Sequence, residues 1–181
     1  MFRFKIVISM LLLVPVGCGK GSGISQYEVD RDTAEFLTTD LLANEFDVIP
    51  FSWKVPSDWS EAENDQFSSM AWSVGPTDDA ARITMSALSG GSGLEPQFVR
   101  WRTQLALPEV ALTEVMKSVE DIKLAGATGK WCVYKNSDES ILGMIVPHGN
   151  KLWTIKFRGS NAIAKQQTAA FRGFCESLKV E

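Results

Sequence analysis

The segment Leu88–Leu107 has the sequence LSGGSGLEPQFVRWRTQLAL, and strand-like segments lie on both sides of it. A glycine-rich loop, Gly90–Gly93, opens into a stretch in which Phe98, Trp101 and Leu105 recur at helical spacing. We therefore predict a helix whose apolar stripe faces the core. The rest of the domain is expected to be arranged around this loop and helix.

Two prolines bound the predicted helix. Pro96 suits a first helical turn, and Pro108 ends the helix because proline clashes with the preceding turn. We expect Arg100 to face solvent and Arg102 to reach a carboxylate or to stack on an aromatic ring. The helix and the glycine loop together are the predicted location of a ligand site.

Alternating apolar and polar residues predict strands before and after this helix. Short turns between successive strands predict an α+β fold with a mostly antiparallel sheet of about six strands, covered by helices. The predicted strands are Pro50–Val55, Gln66–Val74, Ala81–Leu88, Asp121–Leu124, Lys130–Lys135, Ile141–Val146 and Lys151–Arg158. The other predicted helices are Thr113–Val119 and one that runs from Asn161, as N-cap, to about Leu178. Together they form a single domain over residues 50–181.

Composition indicates a globular protein of one domain. The chain has 181 residues, of which 45% are apolar and 22% charged, and its formal net charge is −4. A mildly acidic domain is not expected to bind nucleic acid, because a phosphate backbone attracts basic surfaces. The oligomeric state does not follow from the composition.

The first residues have the pattern of a lipoprotein signal peptide, Met1–Gly17. A short positive region precedes the apolar run Ile6–Val14, which is too short to span a bilayer. Pro15-Val16-Gly17-Cys18 follows the run. A small residue directly before a cysteine resembles the lipobox of bacterial lipoproteins, although Pro15 stands where that family usually has leucine. The resemblance implies cleavage before Cys18 and attachment of palmitate-like chains, which would anchor the protein to a membrane in the cell envelope. The alternative is an ordinary secretory peptide.

Two further segments are predicted between the lipid anchor and the domain. Residues 18–31 are rich in glycine and serine and predict a flexible tether. Residues 32–49 predict an N-terminal helical segment, with a helix at about Thr33–Asn44.

Several motifs between Phe51 and Leu178 are distinctive when taken together. They are Phe51–Pro56, Trp59, Gly90–Gly93, Arg100–Leu105, Leu107, Pro108, Ile145–Pro147, Trp153–Phe157, Phe171, Phe174, Ser177 and Leu178. On these residues the chain resembles a family of uncharacterised lipoproteins and secreted proteins of planctomycetes and related bacteria. The order of elements is also similar to the PsbP/Mog1-like α-β-α sandwich. The resemblance implies a binding or assembly factor, and it supplies no reaction.

Catalytic and metal motifs are weak in this sequence. His148 is the only histidine and is expected to be exposed in a turn over Pro147–Asn150. A single histidine cannot build a multi-histidine metal site, so no metal or other cofactor is expected. The sequence around Ser92 resembles a nucleophile elbow, but Leu94 occupies the place of the last glycine.

The glycine-rich loop has two other interpretations. Its backbone amides, contributed by Gly90, Gly91, Ser92 and Gly93 before a helix, could hold an anion. Alternatively, the loop is a connection that requires a positive φ.

Cys132 and Cys175 remain if Cys18 is lipidated. Cys175 is predicted on the buried face of the last helix, and Cys132 lies in a strand which that helix could cover. In an oxidising compartment they would form a disulfide or stay as two buried thiols.

The sequence therefore predicts a lipid-anchored, non-enzymatic binding or scaffolding domain of the envelope, with an envelope protein as partner. The alternative is a domain that binds a small ligand or an anion with Gly90–Gly93, Arg100 and Trp101. The third hypothesis is a hydrolase that uses Ser92.

Overall fold

A computed structural model of the chain describes residues 49–181. The predicted signal peptide, tether and helix Thr33–Asn44 lie outside the described residues and stay predictions. The described helices are α1 (Leu94–Gln104), α2 (Leu112–Lys117) and α3 (Asn161–Glu176), and a short 3-10 turn covers Gly90–Ser92. The strands are β1 (Phe51–Ser52), β2 (Ser60–Glu61), β3 (Met70–Val74), β4 (Ala81–Ser89), β5 (Glu120–Leu124), β6 (Ala127–Lys135), β7 (Glu139–His148), β8 (Lys151–Ser160) and β9 (Lys179–Val180).

Seven strands form one sheet in the order β2-β3-β4-β8-β7-β6-β5, and every neighbouring pair is antiparallel. Strands β1 and β9 pair separately. The longest ladders join β4 to β8 and β8 to β7, so these three strands form the centre of the sheet. The predicted α+β fold with a mostly antiparallel sheet is confirmed.

Helices cover the sheet on both faces. On one face α3 packs its buried residues Phe171 and Phe174 over Ile83 and Phe157 of the central strands. On the other face α1 and α2 cover β6, β7 and the beginning of β8, and this core contains Phe98, Trp101, Leu105, Val115, Cys132, Tyr134, Ile141, Ile145 and Leu152. The described residues thus form an α-β-α sandwich. No described helix combines the length and the apolar character that crossing a bilayer requires.

The first two predicted strands are too long. Only Phe51 and Ser52 of Pro50–Val55 pair in a ladder, because the amide of Lys54 instead donates to Ser177 Oγ at 2.9 Å. Within Gln66–Val74 the strand begins at Met70, since residues 65–69 form a turn closed by the Asp65 side chain. Phe67, which was expected in that strand, is 73% exposed.

Two predicted boundaries also change. The N-cap of α3 is Ser160, whose hydroxyl accepts a hydrogen bond from the amide of Ile163. The Asn161 side-chain amide instead donates to the carbonyls of Asn136 and Ser137, between β6 and β7. Strand β7 continues through His148, so the turn consists of Gly149 and Asn150 alone. His148 is therefore half-buried, with its ring centroid 5.6 Å from that of Phe51, and is not an exposed turn residue.

Helix α1 ends at Gln104, four residues before Pro108. Ala106 adopts a φ of 50°, and the amide of Leu107 bonds back to the carbonyl of Arg102. This is the Schellman arrangement that closes a helix. Local backbone hydrogen bonds therefore end the helix before the proline is reached.

The contact between α1 and the sheet depends on Gly143 of β7. A Cβ added at Gly143 would overlap the six-membered ring of Trp101. Trp101 is 4% exposed and also packs edge-on against Phe98. The glycine therefore provides the space in which the tryptophan places α1 on the sheet.

Cys132 and Cys175 lie in separate cores. Cys132 belongs to the core under α1 and α2, and Cys175 to the core under α3, so the sheet separates the two side chains. Both are buried free thiols, and the proposed disulfide is not formed. Burial raises the pKa of Cys132 to about 12 and raises that of Cys175 well above its ordinary value.

We expect Gly143→Ala to reduce the free energy of unfolding by roughly 3 kcal/mol, because overpacking displaces the Trp101 ring. The matched control is Gly173→Ala in α3, where an added Cβ meets nothing within 4 Å. The control should leave the protein unchanged or stabilise it by up to about 1 kcal/mol. Urea unfolding measures both changes. Equal effects of the two variants would contradict the role of Gly143.

Thiol titration tests the state of the cysteines. In a Cys18→Ser variant, two cysteines remain. We expect neither to react with a thiol reagent in the native protein at neutral pH, since both are buried and protonated, and both to react after unfolding without reductant. The free energy of unfolding should also fall as the pH rises from about 9 towards 12, because the unfolded thiols ionise first. Two unreactive sulfurs after unfolding would indicate a disulfide.

Candidate functional site

A groove of about 910 Å³ lies beside α1. Because α1 and α2 cover β6, β7 and only the beginning of β8, the face of β4 and the remainder of β8 stays open on this side. The groove occupies that open face. We call it the α1 groove.

The floor of the α1 groove is a polar ladder between β4 and β8. Some residues of β4 have side chains that point away from the α3 core. Each of them lies opposite a residue of β8 whose side chain points the same way. The cross-strand pairs are Ser86 with Thr154, Thr84 with Lys156, and Arg82 with Arg158. At about 3.4 Å per residue, the seven residues from Arg82 to Leu88 span about 20 Å.

Helix α1 forms one wall. Gln97, Arg100, Trp101 and Gln104 line the groove, and their spacing places them on one face of a helix. This face is next to the apolar stripe that docks on the sheet, so the docking of Trp101 also orients Gln97, Arg100 and Gln104. The arrangement makes this wall part of the rigid fold rather than of a loop.

The opposite rim is formed by loops. Asp65 and Phe67 come from the turn before β3, and residues 77–80 come from the β3–β4 turn. In that turn Asp79 accepts a hydrogen bond from the hydroxyl of Ser160 at 2.8 Å. The groove therefore changes along its length from hydroxyl groups to cations and then to an acidic turn.

The four cations of the groove have unequal partners. Arg158 forms an ion pair with Glu139 at 2.7 Å, and Arg82 reaches Asp65 at 3.8 Å. Lys156 is half-buried, and its ammonium group has only a long contact of 3.4 Å with the neutral amide oxygen of Gln104. Neither Lys156 nor the exposed Arg100 forms an ion pair within residues 49–181.

The environment of Lys156 disfavours its positive charge. Burial lowers the pKa of Lys156 below its usual 10.5, and the positive charges of Arg158, Arg100 and Arg82 lower it further. The carboxylate of Asp65 acts in the opposite direction but is not in contact with the ammonium group. An anion placed beside Lys156 would therefore stabilise the charged form.

The structure brings some of the sequence-predicted site residues together. Arg100 and Trp101 line the α1 groove, whereas Gly90–Gly93 is the connection between β4, part of the floor, and α1, the wall. The amide of Gly90 donates to the carbonyl of Asn150 at 2.7 Å, and Gly93 has a φ of 73°. The loop thus has the positive φ expected of a connection, and at least one of its amides is already bonded.

Ser92 lies in the 3-10 turn before α1, and His148 is the last residue of β7. His148 follows Val146 by two residues and contacts Phe51, which puts it on the α3 face of the sheet. The loop that carries Ser92 leads to α1, which packs on the other face. Among residues 49–181, no group of three or more His, Cys, Asp or Glu side chains is arranged to hold a metal ion.

Arg102 has a structural role on α1. Its guanidinium lies over the ring of Tyr134, 5.6 Å from the centroid, and donates to the carbonyl of Pro108 at 2.9 Å. The predicted stacking of Arg102 on an aromatic ring is confirmed. The hydrogen bond of the guanidinium goes to a main-chain carbonyl and not to the carboxylate that was offered as the alternative.

Sequence reasoning missed Arg82, Lys156 and Arg158. All three occupy polar positions that alternate with the apolar, core-facing positions of β4 and β8. Strand alternation alone predicts that the polar positions face solvent, so it does not single out a binding site. The available signal was the concentration of basic residues on the polar faces of two strands. The pairing of β4 with β8 joins distant parts of the chain, and strand alternation does not indicate which strands become neighbours.

No family model matches the chain, and no curated protein matches it. Several solved structures are similar in fold. CyanoP, a PsbP protein of Synechocystis, has a TM-score of 0.48 at 12% identity, with 93% of this chain and 100% of that chain covered. LpqN of Mycobacterium tuberculosis, described as involved in cell envelope biogenesis, has a TM-score of 0.44 at 15% identity, with 72% and 82% covered.

A Bacteroides thetaiotaomicron protein has a TM-score of 0.42 at 17% identity, and the alignment covers 73% of this chain and 45% of that chain. One of these similar structures is thus a PsbP protein. The resemblance to planctomycete lipoproteins stays a prediction. At these identities and TM-scores we draw no conclusion about function from the similar structures.

Proposed function

We propose that this protein is an envelope lipoprotein, anchored through Cys18, whose domain binds a ligand or partner in the α1 groove without catalysing a reaction. The lipobox-like sequence before Cys18 supports the anchor and the location outside the cytoplasm. The observation that carries the binding role is the α1 groove itself, because its volume of about 910 Å³ is in the range of small-molecule sites.

The construction of the groove supports binding. Its floor belongs to the two central strands, and its wall is fixed by the Trp101 contact with Gly143, so its polar groups are held in place before a ligand arrives. Preorganised groups bind more tightly because less conformational freedom is lost on binding. Exposed Phe67 at the rim offers a flat apolar surface to the same ligand.

The chemical character of the groove supports a role without catalysis. Its central side chains are guanidinium, ammonium, amide and hydroxyl groups, which recognise ligands by hydrogen bonds and charge. Glu139 is held in the ion pair with Arg158, and Asp65 accepts hydrogen bonds from its own turn. Neither Ser92 nor His148 is among the residues that line the groove, so the groove gives the hydrolase hypothesis no support.

The lipid anchor is tested by labelling. We expect labelled palmitate to be incorporated into the protein and the Cys18→Ser variant to incorporate none, because the acyl groups attach to that residue. The variant should also lose the processed, lipid-modified mass in mass spectrometry. Incorporation that is unchanged in Cys18→Ser would contradict the anchor.

The binding role is tested by blocking the groove. We expect protein purified from membranes to retain a bound molecule in native mass spectrometry, and Thr84→Trp to lose it, because an indole on the open floor fills the groove. The matched control is Thr113→Trp, an identical change at an exposed position of α2 outside the groove. Retention of the molecule by Thr84→Trp, or its loss from both variants, would contradict a role for this groove.

A further inference from the structure

Positive charge is concentrated and incompletely neutralised at the middle of the α1 groove. Arg82 and Arg158 lie directly opposite each other on β4 and β8, and Lys156 follows Arg158 on the same face, two residues away. Like charges on opposed positions of neighbouring strands repel each other. Asp65 and Glu139 compensate the two arginines, but Lys156 has no such partner within the described residues.

Arg100 adds a second uncompensated cation from the wall. Arg100 lies one helical turn before Gln104, whose amide oxygen is 3.4 Å from the ammonium group of Lys156, and all three residues line the groove. The Arg100 side chain is exposed and forms no ion pair in the described part of the chain. The groove thus holds a half-buried ammonium group and a free guanidinium that repel each other. An anion between them would replace this repulsion with two attractions.

We propose that Lys156 and Arg100 form an anion subsite that holds one phosphate group of the ligand of the α1 groove. The proposal rests on the binding role proposed above and specifies its ligand class. Lysine supplies a compact charge and arginine a planar fork of donors, which together suit a tetrahedral oxyanion. The hydroxyl of Thr84, directly opposite Lys156 on β4, is placed to donate to the same group.

Charge matching favours a doubly charged group over a carboxylate. Two uncompensated cations correspond to the charge of about −1.5 to −2 that a phosphate monoester carries at neutral pH. Asp78 and Asp79 line the same groove beyond the two arginines. They would repel a long polyanion such as a nucleic acid, so the ligand carries a compact anionic group.

Calorimetric titration with inorganic phosphate at constant ionic strength tests the subsite in the protein purified in detergent. We expect Lys156→Met and Arg100→Gln each to weaken phosphate binding by about tenfold or more, the usual effect of losing a charged hydrogen bond. The matched control is Lys165→Met, an exposed lysine of α3 on the other face of the sheet. Acetate should bind more weakly than phosphate or sulfate.

Lys156→Met is also expected to raise the melting temperature of the free protein while it weakens phosphate binding. Methionine keeps most of the aliphatic stem and removes the repelling charge, so we expect a higher melting temperature than wild type without phosphate. The increase in melting temperature that phosphate causes in wild type should disappear. A phosphate response that is the same in wild type, Lys156→Met and Lys165→Met would overturn the proposal, and equal binding of acetate would overturn the preference for a doubly charged group.

Two further probes distinguish a soluble phosphate ester from a lipid headgroup as the ligand of the subsite. Binding of glycerol phosphate would assign the subsite to a soluble ester, and binding of phosphatidic acid in nanodiscs would assign it to a lipid headgroup; binding of neither would overturn the subsite. Native mass spectrometry of Lys156→Met distinguishes this failure from failure of the proposed function. If Lys156→Met keeps a bound molecule that Thr84→Trp loses, the groove binds a ligand but the anion subsite is wrong.

Discussion

The indole of Trp101 lies over Gly143, and the layer of helices on that face depends on this contact. A side chain at residue 143 would force the ring away from the sheet, and α1 would lose its closest approach to β7. Because α1 is rigid, the docking of one ring also sets the direction of Gln97, Arg100 and Gln104. A packing contact between a tryptophan and a glycine thus determines the wall of the groove.

Strand alternation allowed most of the fold to be predicted. The apolar positions of β4, β7 and β8 were assigned to the core, and the structure buries them except for Ala87, which is partly buried. Alternation could not predict where helices and strands begin, because side chains at their ends decide these boundaries. Asp65 closes a turn that keeps Phe67 out of β3, and Ser160 replaces Asn161 as the cap of α3. The separation of Cys132 from Cys175 depends on which face each helix covers, which alternation does not reveal.

The candidate site was predicted in part. Arg100 and Trp101 follow from the helix that the sequence predicts, and both line the groove. Lys156 was missed because its environment arises from the pairing of β4 with β8, two strands that are far apart in the chain. Arg82, Arg158 and Lys156 form a group only after that pairing brings them to one face. A cluster that repels itself costs stability in the free protein, which fits a surface kept for binding an anion.

The most direct test of this account is a map of backbone amide chemical shifts during titration of the protein with inorganic phosphate. The account predicts saturable shifts at Thr84, Arg100 and Lys156 and in their immediate neighbours, with little change in the exposed face of α3. Shifts confined to Gly90–Gly93 would place the anion at the loop amides instead. Shifts that do not saturate, or that are spread evenly over the surface, would contradict a binding role for the α1 groove.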